Sequence, residues 1–384
     1  MSVISKLRIV LSALLAAIAL GGCGTLDGFF DKATTERSNA PERLASRPLA
    51  EPLSRNFFVL AEEQQSVVGE LQLVLIEEGN TFSDLAREYG LGYDELVSAN
   101  PGVDPWIPPP GTPVLLPTQY VLPAAERRGI VLNIAAKRLY YFPEMAAGEA
   151  QTVLTYPIGI GRVGWETPLG SSKVIAKARD PHWYVPASVR KEHREAGDPL
   201  PSVVPPGPDN PLGRHVLKLD MPGYLIHGTN QPYGVGMRVS HGCVRLYPEN
   251  IESLYELIEL GEPVAIVNQP HLLGMRDGQL FFESHPVLED HNVDTEQHLQ
   301  ALIASVSHSD LTHLSEKQLA ARLQAVVSDA RGVPMRIQVG DSAEIYERAL
   351  LVRNTVEPDP DAPTLSEVRE MMDQLPPAEE AAAN

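Results

Sequence analysis

Three side chains in one short stretch of this chain have the types and spacing for nucleophilic chemistry. Cys243 lies in Ser240-His241-Gly242-Cys243-Val244-Arg245, and that hexapeptide begins thirteen residues after His227 in His227-Gly228-Thr229-Asn230. Of the 2 cysteines, the other, Cys23, closes an apolar leader that would consume it. Cys243 therefore has no disulfide partner in the chain, and an unpaired thiol flanked by imidazoles reads as a nucleophile. A free thiol, with a pKa of about 8.5, is only slightly ionised at neutral pH. An imidazole within reach can take its proton and return it to a leaving group. His227 and His241 are both candidates for that base, and His241 could equally be structural. If residues 241–243 are extended, His241 points the same way as Cys243; a turn at Gly242 would change that. Gly242 also lets backbone approach a substrate closely, so N–H groups around Gly242 and Cys243 could hold an oxyanion. A zinc site built on His227, His241 and Cys243 is the competing reading. It lacks support from any Cys-x-x-Cys or His-Glu-x-x-His pattern.

These residues need a framework, and residues 129–268 supply one that is mostly β. Ile130–Ile134 and Leu139–Phe142 flank a polar turn and read as a hairpin. Val153–Ile160, Lys173–Ala178, His215–Leu219 and Val264–Val267 are further strands, and Gly223–Ile226 is a buried strand that delivers His227 at its end. Asn250–Leu260 is the one convincing helix, with apolar residues at helical spacing and Gly261 to stop it. Residues 182–213 form a long proline-rich loop carrying Trp183; a loop of that length in a compact domain is usually functional, and a lid over the site is the expected role.

With the motif and its framework in place, the stretch resembles the active-site signature of L,D-transpeptidases of the YkuD type, in the branch that carries an N-terminal LysM module. Thr167-Pro168-Leu169-Gly170, Pro181-x-Trp183 and Gly207-Pro208-Asp209-Asn210-Pro211-Leu212-Gly213 are further matches. Arg245 stands where many members have asparagine, and the spacing from His227 to Ser240 is shorter than in many members; both suit this branch. The resemblance implies a cysteine acyltransferase with Cys243 as nucleophile, His227 as general base and acid, the Gly228 carbonyl orienting the imidazole, and His241 shaping the site. It implies substrate contacts from Arg245, Ser240, Gly242 and Trp183, with Arg245 reading a peptide carboxylate. No metal or organic cofactor is implied. The reaction would release D-alanine from a peptidoglycan tetrapeptide stem and pass the acyl group to diaminopimelate or to a lipoprotein lysine. Hydrolysis of the same bonds, or a non-catalytic wall-binding scaffold, are the alternatives.

The remaining chain gives the setting. It has 384 residues, 43% of them hydrophobic, with 34 prolines and 29 glycines, which suggests two or three domains joined by turns and linkers. A formal charge of −19 excludes nucleic acid as an expected partner. Lys6 and Arg8 precede an apolar run, Ile9–Leu20, too short to span a bilayer and suited to a signal peptide. Leu20-Gly21-Gly22-Cys23 resembles the lipobox of bacterial lipoproteins. That resemblance implies a lipoprotein signal peptide over residues 1–22, Cys23 as the lipidation site and a periplasmic, lipid-anchored location, with Gly24 favouring the outer membrane. Residues 23–68 read as a polar tether. Residues 71–117 run strand–helix–helix–strand, from Leu71–Ile76 through Thr81-x-x-Asp84 to Val114–Leu116, and resemble a LysM module, which implies binding of peptidoglycan glycan. Residues 270–353 form a C-terminal α+β extension without a readable role. There Leu280–Glu283 could extend the catalytic sheet, residues 295–306 and 315–327 read as helices, and Met335–Val339 and Glu344–Leu351 as strands. Residues 354–384, with eight carboxylates against one arginine, form an acidic tail with one helix expected near Leu365–Leu375.

Overall fold

The computed structural model describes residues 44, 47–53, 56–62, 64–290, 293–306, 314–337 and 343–357. The leader, Cys23, most of the expected tether and all but the first few residues of the acidic tail lie outside these described residues.

The first strands come from the segment read as a tether. β1 (Phe57–Val59) and β2 (Val67–Gly69) precede β3 (Gln72–Leu75), α1 (Phe82–Glu88), α2 (Tyr93–Ala99), β4 (Pro113–Leu116) and β5 (Gln119–Val121). β1 pairs with a catalytic-domain strand and β2 pairs antiparallel with β5. The end of the tether is therefore tied into sheets. Its strands are only three residues long, too short to show a period of two in the sequence. α1 starts where expected: the Thr81 hydroxyl accepts from the Asp84 N–H and the Asp84 carboxylate accepts from the Thr81 N–H at 3.0 Å, a reciprocal cap. Phe82, Leu85, Ala86 and Leu96 bury fully between the helices and β3–β4, with Val74 and Val114 beneath them.

Residues 129–267 build the central sheet. Its remaining strands are β6 (Gly129–Asn133), β7 (Arg138–Phe142), β8 (Thr152–Pro157), β10 (Gly170–Arg179), β13 (His215–Leu219), β14 (Leu225–His227), β16 (Val244–Arg245) and β17 (Pro263–Val267). β9 (Ile160–Gly161) and β15 (Arg238–Ser240) form a separate parallel pair, and β11 (Trp183–Tyr184) pairs with β12 (Val203–Val204). The nine-stranded order is β1-β8-β7-β6-β17-β10-β13-β14-β16. Strands β6 and β7 are buried at every residue, which explains their continuous apolar runs. α4 (Pro248–Leu257) opens with proline at its first turn and turns Ile251 and Leu254 into the core beside Ile226 and Val244. Each such side chain contributes roughly 1.5–3 kcal/mol on burial. Residues 182–213 are not an irregular loop: β11, helix α3 (Ala187–Glu195) and β12 organise them.

The C-terminal extension departs from expectation twice. β18 (His271–Arg276) and β19 (Gln279–Ser284) form a hairpin joined by β20 (Met335–Arg336), with helices α5 (Thr295–Ser305) and α6 (Glu316–Asp329) packed through Leu299, Leu319 and Leu323. Leu280–Glu283 does not extend the catalytic sheet; both edges of its strand β19 are taken by β18 and β20 in a separate sheet. Residues 344–351 are not one strand. α7 (Ala343–Arg348) buries Ile345, Ala349 just after it is buried too, and only β21 (Leu350–Leu351) is extended, pairing parallel with β3. The extension thus returns to the N-terminal βααβ unit.

Candidate active site

β14 and β16 are neighbouring parallel strands, with Ile226 opposite Val244 and His227 opposite Arg245. Ile226 and Val244 point into the core, at 0% and 2% exposure. Alternation therefore sends His227 and Arg245 to the other face, and Cys243, two residues before Arg245, to the same side. The register sets His227 opposite Arg245, and the Cys243 thiol, two residues before that arginine, lies 3.6 Å from the Gly223 carbonyl.

His227 is 3% exposed, and its Nδ1–H donates to the Gly228 carbonyl at 2.6 Å. A carbonyl only accepts, so the proton of the neutral ring is on Nδ1 and the lone pair is on Nε2. A Cβ on Gly228 would lie 3.1 Å from the Ile251 side chain, which would have to give by a few tenths of an ångström. Burial, and then the charge of Arg245, push the His227 pKa down to about 3. The imidazole is neutral at physiological pH, as a base must be before it acts. Burial raises the Cys243 thiol, while the Leu225 N–H and Arg245 favour its thiolate more weakly. The free enzyme thus holds a neutral thiol and a neutral imidazole. Activity at the acid side then follows His227: kcat/KM is expected to change less than about twofold through loss of the base between pH 7.5 and 5.5. An unperturbed imidazole of pKa about 6.5 would lose roughly tenfold at pH 5.5. A pH–rate profile on a soluble peptide donor checks this.

The turn at Gly242 is real, with φ +98°. It sends His241 away from Cys243. The His241 Nε2 lies 3.2 Å from the Glu192 carboxylate and 3.2 Å from the Arg162 guanidinium, and the ring stands edge-on to Trp165 at 4.8 Å. Arg162 and Glu192 also pair with each other. Burial, followed by the nearby Arg162, lowers the His241 pKa. With Nε2 so engaged, His241 ties the nucleophile turn to α3. The residues that hold it were missed in the sequence: Glu192 lies 49 positions away and Arg162 lies 79.

Ser240 is 1% exposed and works inward. Its Oγ–H donates to the Cys243 carbonyl at 2.6 Å and its oxygen accepts from the Gly242 N–H at 3.2 Å. Ser240 thus supports the turn that carries the thiol. The Gly242 N–H is also spent on Ser240, which leaves the Cys243 N–H as the amide beside the thiol. Thr167, buried, completes the support: its hydroxyl donates to the Gly242 carbonyl at 3.0 Å and accepts from the Gly161 N–H at 3.1 Å. A Cβ on Gly242 would come within 3.0 Å of Tyr224. Trp183 sits on β11 opposite Val204, with no hydrogen bond or ring contact to Cys243 or His227. The Arg245 Nε is buried without a hydrogen-bond partner, and burial lowers the guanidinium pKa. A cation held so beside the thiol is set to receive an anion.

Comparison with known proteins gives this geometry a family context. A profile of the YkuD L,D-transpeptidase catalytic domain matches residues 127–266. A protein of Escherichia coli strain K12, named as the probable L,D-transpeptidase YbiS, is 37% identical over 285 residues, 73% of this chain and 91% of that one. The probable L,D-transpeptidase YcfS of the same strain is 36% identical over 301 residues, 77% of this chain and 92% of its own. The probable L,D-transpeptidase ErfK/SrfK of Salmonella typhimurium is 33% identical over 287 residues, 74% and 91% of the two chains.

Proposed function

This chain belongs to the L,D-transpeptidase family, and from that premise we propose that it transfers peptidoglycan stem peptides through a thioester on Cys243. The observation that carries the proposal is the pairing of β14 with β16, with a neutral His227 opposite Arg245 and Cys243 immediately before β16. In the proposed reaction the thiol gives its proton to Nε2 of His227 as sulfur attacks the carbonyl between the third and fourth residues of a tetrapeptide stem. The oxyanion that forms lies by the Cys243 N–H. The C–N bond then breaks, and the imidazolium returns its proton to the departing D-alanine amine. A second amine attacks the thioester, losing a proton to His227, and releases the thiol.

Arg245 is assigned to a carboxylate of the donor peptide, and its buried, unpartnered Nε supports that role. Trp183 and the α3 excursion would flank the donor. The βααβ unit of residues 72–116 is proposed to bind peptidoglycan glycan as a LysM module. Lipidation at Cys23, with anchoring in the periplasm at the outer membrane, completes the setting. The acceptor amine is proposed to be diaminopimelate of another stem or a lysine of a lipoprotein.

Mass spectrometry of products tests the reading. The protein incubated with disaccharide-tetrapeptide donor and each amine acceptor is expected to yield free D-alanine and a donor–acceptor adduct. Freed peptides alone, with no adduct, would make it a hydrolase.

A further inference from the structure

The chain between His227 and Cys243 carries its own turn bonds, among them Val235 N–H to the Pro232 carbonyl at 3.0 Å, and is also held from outside on two sides. Residues 232–237 form a tight turn, and on one side they rest on the catalytic domain: the Ile160 N–H donates to the Met237 carbonyl at 3.0 Å, and β15 follows along β9. On the other side they meet the N-terminal βααβ unit. The Tyr93 N–H, at the start of α2, donates to the Val235 carbonyl at 3.2 Å. Gly236, with φ +86°, faces Gly92 so closely that a Cβ on Gly92 would lie 2.8 Å from the Gly236 Cα. Two glycine backbones in direct contact, with no side chain between them, leave this turn little freedom.

The same edge of the βααβ unit is bolted to the rest of the site. The Tyr247 hydroxyl donates to the Leu91 carbonyl at 3.1 Å, and Tyr247 follows Leu246, whose N–H donates to the His227 carbonyl at 2.9 Å. Arg87 pairs with Glu249, at the start of α4, through two bonds of 3.0 Å. Lys137 pairs with Asp94 at 3.0 Å. The deepest bolt is Arg138 of β7, which pairs with Glu95 at 2.7 Å, their side chains 1% and 8% exposed. Arg138 also donates to the Gly90 carbonyl and lies over the Tyr120 ring at 4.1 Å. Glu95 in turn accepts the Gly92 N–H at 2.9 Å, which ties the ion pair to the contacting glycine. A buried pair of this kind fixes one orientation rather than adding much net stability. These contacts converge on residues 87–95, opposite the turn between base and nucleophile.

We infer that the N-terminal βααβ unit is a positioning element of the active site: Gly92 and the start of α2 brace the 232–237 turn and so hold His227 and Cys243 in register. The inference rests on the assignment of those two residues as base and nucleophile, and it is separate from any glycan binding by the unit. It means that the unit contributes to turnover even on a donor that carries no sugar.

Gly92→Ala isolates the brace. Gly92 has an ordinary φ of −86°, so alanine fits its own backbone and disturbs only the contact with Gly236. Two readouts are compared with the parent well below the melting temperature. One is kcat and KM for D-alanine release from a sugar-free tetrapeptide. The other is iodoacetamide alkylation of Cys243 across pH, followed by peptide mass mapping, which needs no substrate. Loosening the brace is expected to lower kcat about tenfold with KM little changed. It is also expected to speed alkylation at neutral pH several-fold, as water reaches the thiol. Tyr247→Phe, which deletes one bond without a clash, should move both readouts the same way by a smaller factor. A folded Gly92→Ala protein with the parent's alkylation profile would overturn the brace, whatever the substrate. Loss of turnover in the parent itself, with alkylation altered by Gly92→Ala, would instead count against the transpeptidase reading alone.

Discussion

Cys243→Ala is expected to lower D-alanine release from a tetrapeptide donor by at least about 10³-fold while leaving the fold intact. The loss is large because, among the described residues, Cys243 is the one free thiol. The fold should survive because Cys243 is only half-buried and packs no core position; its neighbour Val244 does that. The Ser240–Cys243 backbone bond and the Thr167–Gly242 bond do not involve the sulfur. Circular dichroism melting and a turnover assay on the same preparation check both halves. Retained turnover would place the nucleophile elsewhere.

His227→Asn is expected to slow acylation of Cys243 by about 10²–10⁴-fold, the range for loss of a positioned general base. Asparagine is chosen because its amide nitrogen, like Nδ1, is carried on Cγ and can still donate to the Gly228 carbonyl that the imidazole Nδ1–H now reaches at 2.6 Å. That substitution preserves the local hydrogen bond but has no basic lone pair. Stopped-flow acylation by a β-lactam or a tetrapeptide measures the step directly. The His241→Gln protein provides the contrast. With its Nε2 lying 3.2 Å from both Glu192 and Arg162, His241 acts through the turn and α3, so a smaller loss is expected. Equal losses in the two variants would reassign the base.

How much of this was legible in the sequence depends on the distance over which each feature is built. The placement of His227 on the strand beside Val244 and Arg245 is short in spacing, so the hexapeptide and the His-Gly-Thr-Asn segment pointed to it. The strands that carry them were legible where they are buried on both faces, as in β6 and β7. The fate of His241 was left open in the sequence, because it hung on the conformation of one residue, Gly242, whose φ of +98° only the structure gives. Ser240 entered as a substrate contact through the resemblance alone; its burial and its bonds to the Gly242 N–H and the Cys243 carbonyl are set by the turn and could not be read in the sequence. Glu192 and Arg162 carried no signal, since a charged residue in a polar segment reads as a solvated face until the fold brings two such residues together. The three-residue strands β1 and β2 and the return of β21 to β3 were invisible for a related reason. Their pairing partners are distant in sequence, and short strands have no period to read.

The most direct test of the thioester is the mass of the protein trapped during turnover. Full-length protein mixed with excess disaccharide-tetrapeptide, quenched in acid within the first turnovers and digested, should carry a donor acyl group on the Cys243 peptide. The adduct mass should equal the donor less D-alanine, and it should be absent in Cys243→Ala. Release of D-alanine at the parent's rate with Cys243 unmodified, or from Cys243→Ala, would contradict the account.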